Sequence, residues 1–463
     1  MEPKTPEEKA ALQTLEAGWE NELAFLKELI ALPTVSFDPW PKEPLFECAA
    51  KIEAELAALG PDELTRLRAP AVPEDAVPVL FAHWKAPAGA KTVLLYAHYD
   101  VQPPMDPADW TTPPFEPHER GGRLYARGSA DDKAGIVLHL AALRAWKKSL
   151  GKLPCGVKIL FEGQEEIGSA NLEELLRRNA ALLEADAVVI ADCGNAEVGT
   201  PTLTTSLRGM NALNVEVRAL RTALHSGSWG GIAPDVGLLL SRAVASLADD
   251  WGRPTFPIPG WDPRTAPARA LPVPDRDRIS GQIGLLPGTE LPFPLESLWA
   301  HNWFEPAVAV TAMECGRVGE SGNVIHPVAR ARIGLRVPAG CDVGAATGAL
   351  EKALRAALPA WVELRAEPED AASPWEADAD HPLMRLAAET MSEAYGKETV
   401  FAGCGASIPL AKLFGELLPG TPVLLTGVED PLSAVHAPDE SLELADFFSG
   451  AKAETALFGR LSD

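Results

Sequence analysis

Histidine and carboxylate side chains recur through this sequence at positions where a folded chain could bring them together. In chain order they are His98 with Asp100, Asp131 with Asp132, Glu165 with Glu166, Asp192, and His436. Imidazoles and carboxylates without cysteine form a ligand set that suits divalent zinc, manganese or cobalt. Several carboxylates placed together repel one another, and a pair of cations would supply the compensating charge.

A ligand set of this kind predicts hydrolytic chemistry. Two metal ions about 3.5–4 Å apart can bridge a hydroxide and polarise a substrate carbonyl. One further carboxylate must then take a proton from the attacking water and pass it to the leaving amine. The sequence therefore indicates a metal-dependent hydrolase that cleaves an amide bond.

Each group taken alone has a simpler interpretation. His98 with Asp100 could form a surface turn, and Asp131 with Asp132 could cap a helix N-terminus. Glu165 with Glu166 could be a solvated pair, Asp192 a turn residue and His436 a lone loop histidine. Their shared placement beyond the ends of apolar runs favours the interpretation as ligands.

Four short apolar runs are expected to form the buried strands that position these groups. They are Thr92–Ala97, Val157–Phe161, Ala187–Ala191 and Pro422–Leu425. Helices are predicted over the first ~30 residues and at Glu47–Leu59, Gly135–Lys148 and Leu172–Leu183. This alternation predicts an α/β fold with a mostly parallel sheet and helices on both faces. Such sheets bind ligands at the carboxyl ends of their strands.

Between the third and fourth runs the pattern changes to that of a smaller α+β domain. Strands are predicted at Leu213–Val217, Ala307–Met313, Val328–Val337 and Trp361–Leu364, and helices at Val236–Leu247 and Ala345–Leu358. The order β-α-β-β-α-β is ferredoxin-like. We therefore expect a domain of residues 205–370 inserted into a larger one formed by 1–204 and 371–463. The proline-rich stretch 253–294 is expected to be a long surface loop or arm.

Composition excludes several classes of function. Lys plus Arg number 41 and Asp plus Glu 65, so the formal net charge is −24. A surface this acidic disfavours binding to nucleic acid or to anionic membranes. No apolar run approaches the ~20 residues that a membrane span needs. The six cysteines are far apart and no secretion signal is visible, so we expect reduced thiols and a cytoplasmic protein.

Taken together, the motifs resemble the cocatalytic-zinc metallopeptidase family, which includes carnosinases, non-specific dipeptidases, aminoacylases and succinyl-diaminopimelate desuccinylase. The matching stretches are Tyr96–Pro103, Leu124–Lys133, Phe161–Ser169, Leu224–Gly231, the Asn323 region, Gly405–Pro409 and His436–Glu440. They span nearly the whole chain in the family's order. The stretches Leu224–Gly231 and Gly405–Pro409 favour the carnosinase and dipeptidase branch.

The resemblance implies two divalent ions in each subunit, with zinc the first expectation and manganese or cobalt as alternatives. His98 and Asp192 resemble the ligands of one ion, Glu166 and His436 resemble those of the other, and Asp131 resembles the bridging ligand.

Two further carboxylates have implied roles beside these ligands. Asp100 is similar to the carboxylate that orients the first histidine. Glu165 is similar to the general base and acid of the family.

Residues of the inserted domain also match the family, which implies that this domain is a lid and dimerisation domain. His225 resembles a histidine that stabilises the oxyanion in a neighbouring subunit's active site, so a homodimer is implied. Arg336 and Ser407 match residues that hold the substrate's free carboxylate, a task that suits an arginine fork. Arg336 could instead be an exposed residue on a sheet face.

Two further matches and two departures complete the comparison with the family. Asn323 is expected to contact substrate, and His381 stands where the dipeptidase branch also has a histidine. His326 replaces the proline of the family's Asn-Val-Ile-Pro stretch, and Ala406 replaces a glycine.

The sequence leads to one main hypothesis and two alternatives. The main one is a dinuclear metallopeptidase that cleaves dipeptides or similar short peptides with a free C-terminal carboxylate. The first alternative is an N-acyl-amino-acid deacylase or desuccinylase, which uses the same chemistry on a different acyl group. The second is a non-catalytic homologue that binds metal or a small ligand.

Overall fold

The computed structural model describes residues 1–263, 271, 273–291 and 293–462. The helices are α1 Pro6–Ile30, α2 Glu43–Ala58, α3 Lys133–Leu150, α4 Leu172–Arg178, α5 Ala180–Leu183, α6 Ser226–Trp229, α7 Val236–Ala245, α8 Arg276–Gln282, α9 Leu295–Phe304, α10 Val343–Ala357, α11 Pro382–Tyr395, α12 Pro409–Leu417 and α13 Leu444–Arg460. The strands are β1 Glu63–Arg66, β2 Leu80–Trp84, β3 Thr92–His98, β4 His118–Arg120, β5 Arg123–Tyr125, β6 Gly156–Glu162, β7 Ala187–Ile190, β8 Thr202–Leu207, β9 Gly209–Arg218, β10 Leu224–His225, β11 Ala307–Glu314, β12 Val324–Ile325, β13 Val328–Val337, β14 Glu363–Pro368, β15 Trp375–Glu376, β16 Val400–Cys404, β17 Val423–Leu425 and β18 Ser441–Glu443.

The chain forms two compact units. The first comprises Met1–Thr205, Ala377–Ala402 and Leu413–Asp463, and the second comprises Ser206–Glu376 and Gly403–Lys412. The function of the second unit as a lid and dimerisation domain stays a prediction.

The first unit is built on a mixed sheet whose strand order begins β1-β2-β6-β3-β7-β17-β8. The four central strands, β6, β3, β7 and β17, run parallel, and antiparallel strands flank them. These four are the apolar runs from which the sequence predicted the sheet. The mostly parallel α/β fold is therefore confirmed.

Burial on both faces explains why these strands are continuous apolar runs. Val93 and Leu95 of β3 lie in a core shared with the helices of this unit. Leu94 and Tyr96, which point to the opposite face, are also fully buried. Strands covered on both sides need apolar residues at every position.

Helix α3 lies at the centre of the helical packing on this sheet. It contacts α1, α13 and strand β3, and α13 in turn contacts α11. The lengths of the longer helices agree with the sequence prediction, except that Leu172–Leu183 divides into α4 and α5 at Asn179. The Asn179 side chain donates to the Leu175 carbonyl and so competes with the helical hydrogen bonds.

The second unit contains a four-stranded antiparallel sheet in the order β11-β13-β9-β14. Helices α7 and α10 pack on one face of it. The chain order β9-α7-β11-β13-α10-β14 is the predicted ferredoxin-like arrangement. The side chains of β13 alternate between the buried core and the open face, on which Arg330, Arg332 and Arg336 lie.

The proline-rich stretch 253–294 is only partly described. Residues 264–270, 272 and 292, on which part of the predicted arm falls, lie outside the described residues. Within the remainder, Ile258 is buried in the core of the second unit, and α8 forms at Arg276–Gln282. This stretch therefore contributes to packing as well as to the surface.

Two chemical features of the chain complete the description of the fold. None of the six cysteines, all of which lie among the described residues, forms a disulfide bond. None of the described helices is both long enough and apolar enough to cross a membrane.

Candidate metal centre

The carboxyl ends of the central strands bring the predicted ligands to one edge of the sheet. His98 is the last residue of β3, and Asp192 follows the end of β7. Glu165 and Glu166 lie in a short 3-10 helix just after β6, and His436 lies in the loop that follows β17. The three parallel pairings between β6, β3, β7 and β17 place these ends side by side.

Asp131 lies between two imidazoles. Its Oδ1 is 3.1 Å from Nε2 of His98, and its Oδ2 is 2.9 Å from Nε2 of His436. The Asp131–Asp132 peptide bond is cis, and α3 begins at the next residue. A carboxylate whose two oxygens face different histidines has the arrangement that a ligand shared by two cations requires.

Asp192 and Glu166 complete the two sides of this arrangement. Asp192 Oδ1 lies 3.6 Å from Nε2 of His98, and Glu166 Oε2 lies 3.4 Å from Nε2 of His436. Gln102 holds the Glu166 carboxylate through its backbone and side-chain nitrogens, at 3.1 and 2.7 Å. His98 thus lies beside Asp192 and His436 beside Glu166. That each pair holds one ion stays a prediction.

Asp100 contacts both His98 and the segment that carries the paired glutamates. Nδ1 of His98 lies 3.2 Å from the backbone carbonyl of Asp100 and 3.3 Å from its Oδ1. The predicted role of Asp100 in orienting this imidazole stays a prediction. The same carboxylate accepts hydrogen bonds from the backbone nitrogens of Glu165 and Glu166, each at 3.1 Å. One buried residue therefore contacts both the first histidine and the backbone of the paired glutamates.

The fit of this site to divalent cations can be judged from its own polar atoms. Nε2 of His98 is buried and has no hydrogen-bond partner, although two carboxylates lie close to it. A buried acceptor atom without a partner is costly in a folded protein. A cation between the imidazole and these carboxylates would remove that cost, so the residues fit divalent metal ions.

Burial and crowding shift the titration of these groups. Burial raises the pKa of Glu166 to about 8, and the charge of Asp131 adds to the effect. Burial, followed by the charge of Asp192, raises the pKa of Glu165 well above its usual value. Burial opposes ionisation of Asp131 too, but the contacts with His436 and His98 outweigh it and lower its pKa. Burial and mutual repulsion therefore oppose full ionisation of these carboxylates, and bound cations would offset both effects.

Two more carboxylates lie near the centre: Asp132, which the sequence analysis named beside Asp131 without a role, and Glu429, which it did not name. Asp132 groups with His98 and Asp192, and Glu429 groups with Asp131 and Asp192, at distances at which they could share a cation. Asp132 Oδ2 accepts the backbone N–H of His98 at 3.1 Å. Glu429 follows β17 within the segment that leads to His436, and its position beyond a strand end is the signal that could have identified it.

The loop that carries His436 has an unusual backbone. Ala434, His436 and Asp439 have φ angles of 52°, 62° and 59°. Left-handed conformations are unfavourable for residues other than glycine and concentrate at functional sites. Asp439 anchors the loop by accepting hydrogen bonds from the backbone and hydroxyl of Thr111, at 2.9 and 2.6 Å.

His225, in the second unit, is exposed and has a defined orientation. Its Nδ1 accepts hydrogen bonds from the backbone nitrogens of Gly227 and Ser228, at 3.1 and 3.3 Å. The proton of the neutral ring must therefore lie on Nε2, which remains available as a donor. Asn323 lies beside it, because its carbonyl accepts the backbone N–H of Ser226 and β10 pairs with β12.

Arg336 and Ser407 are in direct contact within the second unit. Arg336 Nη1 donates to Ser407 Oγ at 3.1 Å, and that hydroxyl donates to the carbonyl of Arg208 at 2.5 Å. Arg208 is buried and donates in turn to the carbonyls of Gly405 and Glu305, both at 3.3 Å. The sequence prediction missed Arg208, whose contacts come from distant parts of the chain.

Gly405 permits the close approach of Arg208 to this loop. A Cβ at position 405 would lie 2.8 Å from Arg208 Nη2. Burial is the main cause that lowers the pKa of both Arg208, to about 10, and Arg336. Among the described residues, Arg208 donates to carbonyl and amide oxygens and Arg336 donates to a hydroxyl, and neither is paired with a carboxylate. This leaves a region of positive charge suited to an anion.

His381 has a contact that accounts for it without a ligand. Its Nδ1 accepts the backbone N–H of Leu383 at 3.2 Å, so it caps the N-terminus of α11. It belongs to none of the candidate metal-binding groups among the described residues. Its predicted role in substrate binding stays a prediction.

Comparison with known proteins agrees with the metal-binding geometry. The model of the peptidase family M20/M25/M40 matches residues 94–460, which include every candidate ligand. The chain belongs to this peptidase family. The resemblance inferred from the motifs is therefore confirmed, and membership of this metallopeptidase family implies divalent metal ions.

Several relatives with matching sequences are named dipeptidases. The chain is 36% identical to the cysteinylglycine-S-conjugate dipeptidase of Corynebacterium striatum, over 88% of each chain. It is 27% identical to the Cys-Gly metallodipeptidase of Saccharomyces cerevisiae, over 93% of each. It is also 27% identical to the human Beta-Ala-His dipeptidase, over 94% of this chain and 88% of the relative.

Solved structures show the same fold over almost the whole chain. Human carnosine dipeptidase 1 superposes with a TM-score of 0.80 at 25% identity, covering 100% of both chains. The di-peptidase Dug1p from Saccharomyces cerevisiae superposes with a TM-score of 0.79 at 25% identity, covering 98% of both. These similarities confirm the carnosinase and dipeptidase branch.

Proposed function

We propose that this protein is a dinuclear metallodipeptidase that hydrolyses dipeptides or similar short peptides with a free C-terminal carboxylate. The observation that carries the proposal is the position of Asp131, whose two oxygens face His98 and His436 at 3.1 and 2.9 Å. The dipeptidase activities named for the relatives support the choice of substrate.

We propose the following ligands for two ions. His98 and Asp192 hold one, Glu166 and His436 hold the other, and Asp131 bridges them. Zinc is the preferred ion, with manganese or cobalt as alternatives, because imidazole and carboxylate ligands suit all three. When bound, such ions polarise a carbonyl and lower the pKa of water, so that hydrolysis proceeds near neutral pH.

Glu165 is the proposed general base and acid. No described group donates a hydrogen bond to its carboxylate, whereas its neighbour Glu166 is held by Gln102. Its raised pKa allows it to accept a proton from water and to return that proton to the leaving amine. Asp100 supports this step by fixing the backbone nitrogen of Glu165 at 3.1 Å.

Recognition of the substrate is proposed for Arg336, Ser407 and Asn323 of the second unit and for His381 of the first. Arg336, held by Ser407, binds the free carboxylate through its guanidinium. Asn323 contacts the substrate backbone, and His381 has a weaker claim because capping α11 already accounts for its position.

A homodimer is proposed because the surface near His225 is apolar and exposed. Trp229, Ile232, Leu238 and Trp361 have exposed fractions of 48%, 77%, 64% and 64%. Exposed apolar surfaces of this kind mark interfaces. We propose that a second copy of the chain covers this surface and that Nε2 of His225 donates to the oxyanion in the partner's active site.

The proposed function is tested with a substrate panel. The purified enzyme, loaded with zinc or manganese, is given Cys-Gly, β-Ala-His and other dipeptides beside N-acetyl and N-succinyl amino acids of the same C-terminal residue. We expect dipeptides to be hydrolysed with the higher kcat/KM. Faster hydrolysis of the N-acyl amino acids would favour a deacylase, and inertness of the metal-loaded protein on the whole panel would contradict an enzymatic function.

A further inference from the structure

The carboxylate of Glu440 is completely buried against the loop that carries Asp131. Its Oε1 accepts the backbone N–H groups of Ala130 and Asp131, at 3.0 and 3.2 Å. Its Oε2 accepts the backbone N–H of Gly128 at 3.0 Å and a hydrogen bond from Arg127 Nη1 at 2.6 Å. Four donors thus converge on one side chain that lies 0% exposed.

Strand pairing brings the segment of Glu440 next to the segment that precedes Asp131. Strand β18 pairs with β5 so that Ser441 lies opposite Tyr125. The backbone continues the contact, because Ala126 donates its N–H to the carbonyl of Glu440 at 3.0 Å. Glu440 therefore meets the start of the loop that leads from β5 to Asp131.

The loop is shaped to enclose a carboxylate. Gly128 has a φ of +80°, and a Cβ at this position would lie 2.6 Å from Val101 Cγ1. Only glycine fits here, and its conformation lets nearby backbone N–H groups point to one centre. Such a concave arrangement of N–H groups binds an anion.

Arg127 extends the contact to further parts of the site. It is 1% exposed, and its Nη2 donates to the carbonyls of Pro103 and Ala437, both at 3.3 Å. Ala437 is adjacent to His436, and Pro103 is adjacent to Gln102, which holds Glu166. The Glu440–Arg127 pair thus connects three loops that carry ligands or their supports.

Asp131 is the ligand that most needs a fixed backbone. It must present one oxygen towards His98 and the other towards His436, so a small rotation of the residue would disturb both contacts. We propose that Glu440 is a positioning residue of the metal centre, which fixes the backbone of Asp131 so that both ions can bind. It acts through Asp131 and does not itself contact an ion.

This inference rests on the proposed metal centre, but its test does not depend on turnover. Metal-free wild-type protein and the Glu440→Gln variant are titrated with Zn²⁺ by isothermal titration calorimetry, and bound zinc is counted by elemental analysis. Removal of a residue that orients a ligand typically weakens metal binding about 10–100-fold. We expect at least one of the two ions to bind Glu440→Gln that much more weakly.

A matched control separates positioning from general loss of stability. Glu22 and Arg144 form another buried glutamate–arginine pair in the same unit, between α1 and α3. Glu22→Gln should lower the thermal stability in the same way as Glu440→Gln but leave both zinc affinities within about twofold of wild type. Equal zinc affinities in wild type and Glu440→Gln would overturn the inference, and so would an equal loss of affinity in both variants.

A second variant covers the case in which Glu440→Gln does not fold. Arg127→Lys keeps a positive charge beside Glu440 but removes Nη2, which donates to the carbonyls of Pro103 and Ala437. We therefore expect a smaller yet measurable loss of zinc affinity. Unchanged zinc affinity in folded Arg127→Lys would then overturn the inference.

The wild-type protein distinguishes failure of this inference from failure of the proposed function. Wild type that binds two ions but hydrolyses no dipeptide would contradict the proposed function alone, whereas wild type that binds no zinc would contradict both proposals.

Discussion

The adjacent residues Glu165 and Glu166, for which we propose different roles, have different surroundings. Gln102 holds the carboxylate of Glu166 through two hydrogen bonds, and His436 lies 3.4 Å away. The carboxylate of Glu165 receives no hydrogen bond from the described residues. A ligand needs a fixed position, whereas a group that carries protons needs an open one.

The difference predicts separate effects of two substitutions. Glu165→Ala should lower kcat by about 10²–10⁴-fold, because a general base is lost, while the zinc content stays that of wild type. Glu166→Ala should lose bound zinc as well as activity. Zinc content by elemental analysis and steady-state rates on a dipeptide check both expectations, and wild-type kcat in Glu165→Ala would refute its role.

Arg336 permits a prediction about substrate affinity. Arg336→Lys keeps the charge but loses the paired donors, so KM for a dipeptide should rise roughly 10–100-fold while kcat changes less. Arg330→Lys is the matched control, because Arg330 lies on the same strand but is paired with Glu216. A similar KM in the two variants would show that Arg336 does not bind the carboxylate.

The sequence predicts the position of a residue in the fold where the residues next to it in the chain form a recognisable strand. His98 and Asp192 follow apolar runs, so their position at a strand end was visible. Glu440 and Arg208 could not be assigned, because their roles depend on contacts with residues far away in the sequence. A carboxylate that accepts backbone N–H groups has no local signature.

At the scale of elements, the turn after β6 determines where the paired glutamates lie. Gly163 follows the last residue of this strand, and a Cβ there would lie 2.2 Å from Cε2 of the buried Tyr99. Tyr99 donates in turn to the carbonyl of Pro78. The packing of one aromatic ring thus sets the path of the chain towards Glu165.

Gly163→Ala should therefore move this turn. Overpacking of this kind costs about 1–3 kcal/mol of stability, and we expect weaker zinc binding to accompany it. Gly18→Ala is the control, because no atom lies within 4 Å of a Cβ in this part of α1. That variant should gain about 0.5–1 kcal/mol, since alanine favours the helix. Denaturant unfolding and zinc titration compare the two, and unchanged zinc binding in Gly163→Ala would show that the ring does not set the turn.

The sequence revealed the central strands because burial on both faces makes them uniformly apolar. The same reasoning did not find α11 and α13, although both carry helical signals. Pro382 directly follows the cap of α11, and Gly396 ends it. Strand β1, at the edge of the sheet, and strand β8 were also missed, because polar residues interrupt both and leave no continuous apolar run.

For the whole molecule, the proposed role of His225 predicts complementation between inactive subunits. A dimer of Glu165→Ala with His225→Ala would contain one site with both residues intact. After random exchange of subunits, the mixture should recover about a quarter of wild-type activity, from half of the dimers with one site each. Mixtures that stay as inactive as their components, although light scattering shows dimers that exchange, would contradict catalysis across the interface.

The crowded carboxylates predict how pH affects the metal-free protein. Burial raises the pKa of Glu166 to about 8 and also raises the pKa of Glu165 and Asp192. The folded state therefore binds more protons than the unfolded state between pH ~4.5 and 8, and stability must fall as pH rises through this range.

Thermal unfolding of the metal-free protein should therefore begin at lower temperature at pH 8 than at pH 6. Added zinc should raise the unfolding temperature more at pH 8, because the ligands bind metal in their deprotonated form. Scanning calorimetry with and without zinc measures both effects. A metal-free protein that becomes more stable towards pH 8 would contradict the assigned shifts.

The division of the chain into units has a practical consequence for protein engineering. The second unit takes in Gly403–Lys412 as well as Ser206–Glu376, so the polypeptide enters it twice. Excising residues 206–376 alone would remove the contacts of two residues left behind. Gly403 would lose Trp303, against which it packs, and Ser407 would lose its hydrogen bond with Arg336. The second unit therefore cannot be removed as one continuous segment. A minimal catalytic fragment would also need Gly403–Lys412 deleted and a redesigned connection between Ala402 and Leu413.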